Sequence, residues 1–147
     1  MQSPPYAGLV LLLEVAIGLG LLLGAWLARK RKFREHAWCQ SAAVLLNLIV
    51  VVSVMVPSFR THISPNIPAK LGKSYVALAT AHAALGGMVE LTALYILLAA
   101  GTKLLPERLR LQRYQLWMRA VLAGWWLALL LGAATYVRWY VPLHFRH

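Results

Sequence analysis

Four long apolar runs separated by short polar segments dominate the chain. The first extends from Tyr6 to Ala28 and is broken only by Glu14; the second extends from Ala37 to Val56 and halts at Pro57. The third extends from Tyr75 to Ala100, broken by Glu90, and the fourth from about Trp117 to Val141. No Lys, Arg, Asp or Glu occurs from His36 to Phe59 or from Ala120 to Val137. Uncharged runs of roughly 18 residues or more match the thickness of a bilayer better than a buried helix of a soluble core. The pattern predicts an all-α, integral membrane four-helix bundle, a single transmembrane domain over residues 1–147 with spans at about 6–28, 37–56, 75–100 and 117–141. Pro57, Pro65 and Pro68 argue against a continuous helix between the second and third spans.

Composition narrows the class further. The hydrophobic set makes up 61% of the chain and charged residues 13%, too few charges to cover the surface of a soluble globule. A soluble enzyme, a disordered chain and a nucleic-acid domain are thereby excluded. A single cysteine, Cys39, rules out a disulfide framework, a CxxC redox motif and a Cys-based zinc site. No P-loop, GxGxxG, nucleophile elbow or HExxH is present, so no catalytic residue is assigned. Four spans without a detected repeat or a discontinuous helix do not match a transporter plan.

The charges, 15 Lys+Arg against 4 Asp+Glu, encode topology. Arg29, Lys30, Arg31, Lys32 and Arg34 follow the first run, and Lys103, Arg108, Arg110 and Arg113 follow the third. The second loop holds Arg60, Lys70 and Lys73, and the tail Arg146. The positive-inside rule then places the basic loops in the cytoplasm and both termini on the outer side. Tyr6, Tyr75, Trp139 and Tyr140 fall at the outer ends of the spans and Trp26, Trp38 and Trp117 at the inner ends, as an interfacial belt on each side requires. The start, Met1 to Pro5, carries no basic residue, and the cluster follows the apolar run. That is the reverse of a cleavable signal, so the first run is expected to be a retained span. Membrane lipid is the expected partner, and nucleic acid is not.

Polar groups inside the spans carry the candidate chemistry, because each costs several kcal/mol unless it faces the bundle interior. At about 1.5 Å per residue, His82 lies about 10 Å, Glu14 about 12 Å and Tyr136 about 6 Å from the outer ends of three different spans. They form a candidate cofactor-binding layer: His82 as ligand to haem, a chlorin or copper, with Glu14 as its neighbour or proton partner. The competing reading is that the three hydrogen-bond one another as interhelical glue. The small residues Ala81, Ala83, Ala84, Gly86 and Gly87 around His82 suit either a flat macrocycle or close helix contact. His36, at the inner boundary, is roughly 20 Å from His82 along the membrane normal, so the two do not share one iron. Otherwise it reads as an ordinary interfacial histidine. His62, His144 and His147 fall in the outer loop and tail. Glu90, with Thr92, Tyr95 and Asn47, is either part of a proton path or held by local hydrogen bonds. Gly18, Gly20 and Gly24 are expected to form a packing surface on the first span.

From about Leu27 to Val141 the chain resembles a small four-span bacterial membrane family that includes the CtaM/YozB-type maturation factors of haem-A cytochrome oxidases. The segment Arg29-Lys30-Arg31-Lys32-Phe33-Arg34-Glu35-His36 is similar to that family's basic turn ending in a histidine. Tyr75 to His82 is similar to its tyrosine-then-histidine span, and Arg119, Trp125, Gly132 and Tyr136 fall at the spacing of its last span. The family usually carries a further histidine five residues before that arginine, where this chain has Tyr114. The resemblance implies an inner metal site formed by His36 and Tyr114, with tyrosine the less common ligand. It also implies a bacterial inner-membrane protein that handles haem or metal, or assists assembly, for a respiratory terminal oxidase. The alternative is a small structural or pigment- or haem-holding accessory subunit of a larger respiratory or photosynthetic complex.

Overall fold

A computed structural model describes residues 5–70, 72–109 and 112–140. Four long helices run through it: α1 (Pro5–Arg29), α2 (Phe33–Ile63), α3 (Ser74–Gly101) and α4 (Tyr114–Tyr140). Each contains a stretch long and apolar enough to cross a membrane. Val141, His144, Arg146 and His147, and also Arg110, lie outside the described residues.

The distribution of side chains identifies the solvent. Leu12 and Leu91 are 68% and 69% exposed, and Leu9, Ile49, Met88, Leu127 and Leu130 also point outward. The interior instead collects Asn47 and Glu90. A surface of leucine and isoleucine around a partly polar centre is stable only in hydrocarbon, where burying leucine gains nothing and an outward carboxyl costs most. The chain is a multi-pass membrane protein of four apolar helices.

Helices α1 and α2 pack closely as one hairpin, and α3 and α4 as a second. The hairpins meet through α1 against α4 and, more lightly, α2 against α3. A cluster of Ile17 and Leu21 from α1, Ala43 from α2, Val89 from α3 and Trp125 from α4 joins all four helices. Near the far end, Ile63, Val76 and Ala79 pack with Phe59, Ile67, Tyr75 and Trp139, closing the end of α2 over the start of α3. Aromatic rings gather there: Tyr75 meets Trp139 edge-on with centroids 6.4 Å apart, and Tyr136 lies 5.3 Å from Tyr140. At the basic end Trp26, Trp38 and Trp117 face outward, and the Lys30 ammonium sits 5.7 Å from the centre of the Trp26 ring. These aromatic side chains mark the two ends of the bundle, whereas Trp125 lies in its central cluster.

The α1–α2 turn is short because α1 ends in a Schellman motif. The Lys32 N–H donates to Leu27 O and the Arg31 N–H to Ala28 O, both at 3.0 Å. The motif demands a left-handed residue, and Arg31 supplies it at φ 59° although it has a Cβ. Arg31→Gly is therefore expected to stabilise the protein by about 0.5 kcal/mol, read by detergent-titrated unfolding in mixed micelles.

Where the sequence predicts an end to the second span at Pro57, the structure shows α2 continuing to Ile63. Proline lacks an N–H and its ring crowds the preceding turn, and the helix absorbs this by widening. Val51–Met55 and Phe59–Ile63 form π-helical turns, with Val56 N–H donating to Val51 O and Ser64 N–H to Phe59 O. Hydroxyls occupy neighbouring carbonyls: Ser53 Oγ donates to Ile49 O at 2.5 Å and Thr61 Oγ1 to Pro57 O at 3.0 Å. Pro65 and Pro68 also sit in short helical turns, Ser64–Asn66 and Ile67–Lys70, rather than in an extended loop.

Candidate functional site

Two seams and one central layer hold the polar side chains. In the α1–α2 seam, three side chains of α2 bond to backbone carbonyls of α1. His36 Nδ1 donates to Gly24 O at 2.7 Å, Gln40 Nε2 to Leu21 O at 3.1 Å and Cys39 Sγ to Gly20 O at 3.2 Å. The absent side chain at Gly24 makes room, since a Cβ there would lie 2.5 Å from Gln40 Nε2. Gly18 has a comparable role against α4, with Trp126 Cζ2 3.2 Å from where its Cβ would be. Gly20 takes part through its carbonyl, because a Cβ there would meet nothing within 4 Å.

In the α3–α4 seam, His82 Nδ1 lies 2.8 Å from Ala128 O. A carbonyl only accepts, so Nδ1 carries a proton, and in the neutral tautomer with this bond Nε2 is the nitrogen with the lone pair. The imidazole rests on Gly132, where a Cβ would come within 2.9 Å of Cε1, and one half-seam along a Cβ at Gly124 would reach 2.7 Å from Val89 Cγ2. Gly124, Ala128 and Gly132 thus form a strip of small residues at four-residue spacing along α4. That spacing is visible in the sequence and is the signal that the glycines of α1 draw attention away from.

The central layer joins the hairpins. Asn47 Nδ2 on α2 donates to Glu90 Oε2 on α3 at 2.7 Å, and the two residues are 5% and 3% exposed. Glu14 Oε1, Glu90 Oε1, Asn47 Oδ1 and the indole nitrogens of Trp125 and Trp126 are buried without a hydrogen-bond partner.

The structure therefore regroups the expected outer layer. Glu14 Oε1 is buried without a hydrogen-bond partner, His82 is bonded to Ala128, and Tyr136 stacks on Tyr140 with its hydroxyl 3.6 Å from where a Gly8 Cβ would be. No hydrogen bond joins Glu14, His82 and Tyr136. Tyr95 donates to Leu109 O, and Thr92 Oγ1 donates to Met88 O at 2.7 Å. Neither hydroxyl bonds to Glu90, whereas Asn47 does. At the basic end, Tyr114 Oη donates to Ala99 O at 3.3 Å while His36 is bonded to Gly24, so each is engaged within its own hairpin.

The donor set decides which group fits. Among the described residues no three His, Cys, Asp or Glu side chains converge on one point. A bare copper or zinc ion, which needs several protein donors, has no such set here. A tetrapyrrole brings four equatorial nitrogens of its own and asks the protein for one axial imidazole, which His82 can supply through Nε2. Two clefts open along the same α3–α4 seam: one of about 280 Å³ lined by Leu91, Thr92, Tyr95 and Trp117, and one of about 190 Å³ whose lining includes Leu85, Met88, Val121 and Gly124. Neither touches His82. No family model, curated protein or solved structure matches the chain.

Proposed function

We propose that the protein handles a tetrapyrrole, haem in the first instance, at the α3–α4 seam, and serves a respiratory terminal oxidase as an assembly or accessory protein. The observation that carries the haem reading is the bond from His82 Nδ1 to Ala128 O. Metal-ligating histidines characteristically donate their second nitrogen to a carbonyl or carboxylate, which fixes the tautomer and raises the basicity of the ligating nitrogen. The oxidase connection rests on the resemblance of the basic turn, the Tyr75–His82 segment and the last span. The pairing of His36 with Tyr114 is not part of this reading, because the Tyr114 hydroxyl donates to Ala99 O; His36 makes the same kind of carbonyl bond as His82, through Nδ1 to Gly24 O. When bound, the haem would supply redox and ligand-exchange chemistry. His82 would hold it, and Ala128 would orient His82.

Visible spectra of the protein purified from its native membrane, oxidised and dithionite-reduced, test the proposal. A Soret band is expected in the wild type, to be lost in His82→Ala and restored by added imidazole. A wild-type protein without a chromophore, or a band untouched by His82→Ala, refutes it. Association with an oxidase in stoichiometric amounts would mark an accessory subunit, and substoichiometric association an assembly factor.

A further inference from the structure

The two clefts along the α3–α4 seam play no part in the haem reading, since neither touches His82. They share Thr92 and Trp117 in their walls and so form one groove, open to the lipid side beside the exposed Met88 and Leu91. The groove reaches along α3 from Leu85 to Tyr95, about 15 Å at about 1.5 Å per residue. That is half of a hydrocarbon core roughly 30 Å thick, the depth of a single leaflet. Its side-chain hydroxyls make no demand on an occupant: Thr92 Oγ1 donates to Met88 O at 2.7 Å, and the Tyr95 hydroxyl donates to Leu109 O.

The end of the groove nearest the basic loop is charged, and the lining toward Gly124 is not. The bond from Tyr95 to Leu109 O holds the Glu107–Leu109 turn, and with it Arg108, at the mouth. Trp117 donates its N–H to Arg113 O at 3.3 Å, so Arg113 stands one helical turn from the groove wall. The sequence between α3 and α4 adds Lys103 and Arg110, against one carboxylate, Glu107. Leu104, Leu109 and Leu116 are exposed among these cations. Bare leucines mixed with arginines belong at the boundary of acyl chains and headgroups, where apolar stems stay in hydrocarbon and charges reach water.

An apolar channel one leaflet long with cations at one end complements an anionic amphiphile. A transmembrane helix is about 10 Å across, and it would bridge clefts of about 280 and 190 Å³ rather than fill them. A neutral amphiphile would fill the groove but leave the arginines unused. Basic pockets between membrane helices are suited to anionic headgroups. We propose that the groove binds one acyl chain of an anionic phospholipid from the leaflet beside the basic loops, with its phosphate held at Arg108 and Arg113. Binding is non-covalent, and the site is independent of haem binding at His82.

Native mass spectrometry of the full-length protein, released from detergent micelles and titrated with palmitoyl-oleoyl phosphatidylglycerol or phosphatidylcholine, tests the site. Phosphatidylglycerol should form a single tight adduct with a Kd at least about tenfold below that of phosphatidylcholine. Arg108→Gln and Arg113→Gln should each weaken it about fivefold, and together about 30-fold. Ala120→Phe places a ring in the groove from an exposed position and should abolish the tight adduct. Arg34→Gln, in the other basic turn, should change the Kd by less than about twofold, because distant exposed charges are screened. Equal affinity for the two lipids overturns the proposal, as does a loss in Arg34→Gln that matches the loss in Arg108→Gln. A tight adduct that survives Ala120→Phe places the lipid elsewhere and also overturns it. So do wild-type dimers that Ala120→Phe converts to monomers, since the groove would then belong to a second copy of the chain. If Ala120→Phe fails to fold, the arginine variants still decide, because both positions are exposed and lie outside the long helices.

Discussion

Gly132→Leu is expected to unseat His82 and prise α3 from α4, at a cost of about 3 kcal/mol. Even a methyl group at this position would lie 2.9 Å from His82 Cε1, and the imidazole has little freedom to retreat while bonded to Ala128 O. Gly124→Leu should be comparably severe, because a Cβ there meets Val89 Cγ2 at 2.7 Å and a β-branched side chain has few rotamers to offer. In hydrocarbon, helix association depends on close packing rather than on expelling apolar surface from water, so seam glycines carry more of the stability than their size suggests. Detergent-titrated unfolding in mixed micelles measures the loss. Gly20→Leu is the control: with nothing within 4 Å of its Cβ position, it should fall within about 0.5 kcal/mol of wild type. Equal effects at Gly20 and Gly132 would show that the seam is not packed as described.

Asn47→Leu should cost about 2 kcal/mol. Two magnitudes compete in that estimate. Interhelical hydrogen bonds in membranes average only about 0.6 kcal/mol, because the separated helices find other partners. Stranding a buried acceptor costs about 1 to 3 kcal/mol, and the substitution leaves Glu90 with neither oxygen bonded. The second effect dominates, so the double variant Asn47→Leu, Glu90→Leu should be more stable than the sum of its single variants. Additive losses in the same unfolding assay would mean that the 2.7 Å bond contributes no coupling.

The sequence makes the membrane architecture readable because hydrocarbon is an unforgiving solvent: uncharged runs as long as Ala120–Val137 have few other uses. The inward direction of Glu90 and Asn47 is readable for the same reason, and the bond between them realises one of the groupings their positions suggest. Three features are not readable. The partner of His82 is a backbone carbonyl, and every residue has one, so no side-chain pattern announces Ala128. The passage of α2 through Pro57 depends on π-helical turns and hydroxyl bonds, which a proline rule does not weigh. The separation of Glu14, His82 and Tyr136 depends on where each side chain points around its helix, which counting residues from the ends of the spans does not fix.

The hairpin arrangement bears on how the molecule is completed. Each helix finds its largest contact with a sequence neighbour inside its own hairpin, so each pair needs little loop closure to form. The carboxyl–amide contact, by contrast, is made only between pairs, with Asn47 from the first and Glu90 from the second. A half left without its mate turns a carboxyl or an amide toward acyl chains. Its polar centre therefore acts as a clasp, making the union of the two halves the step at which the nascent protein escapes its worst exposure to lipid.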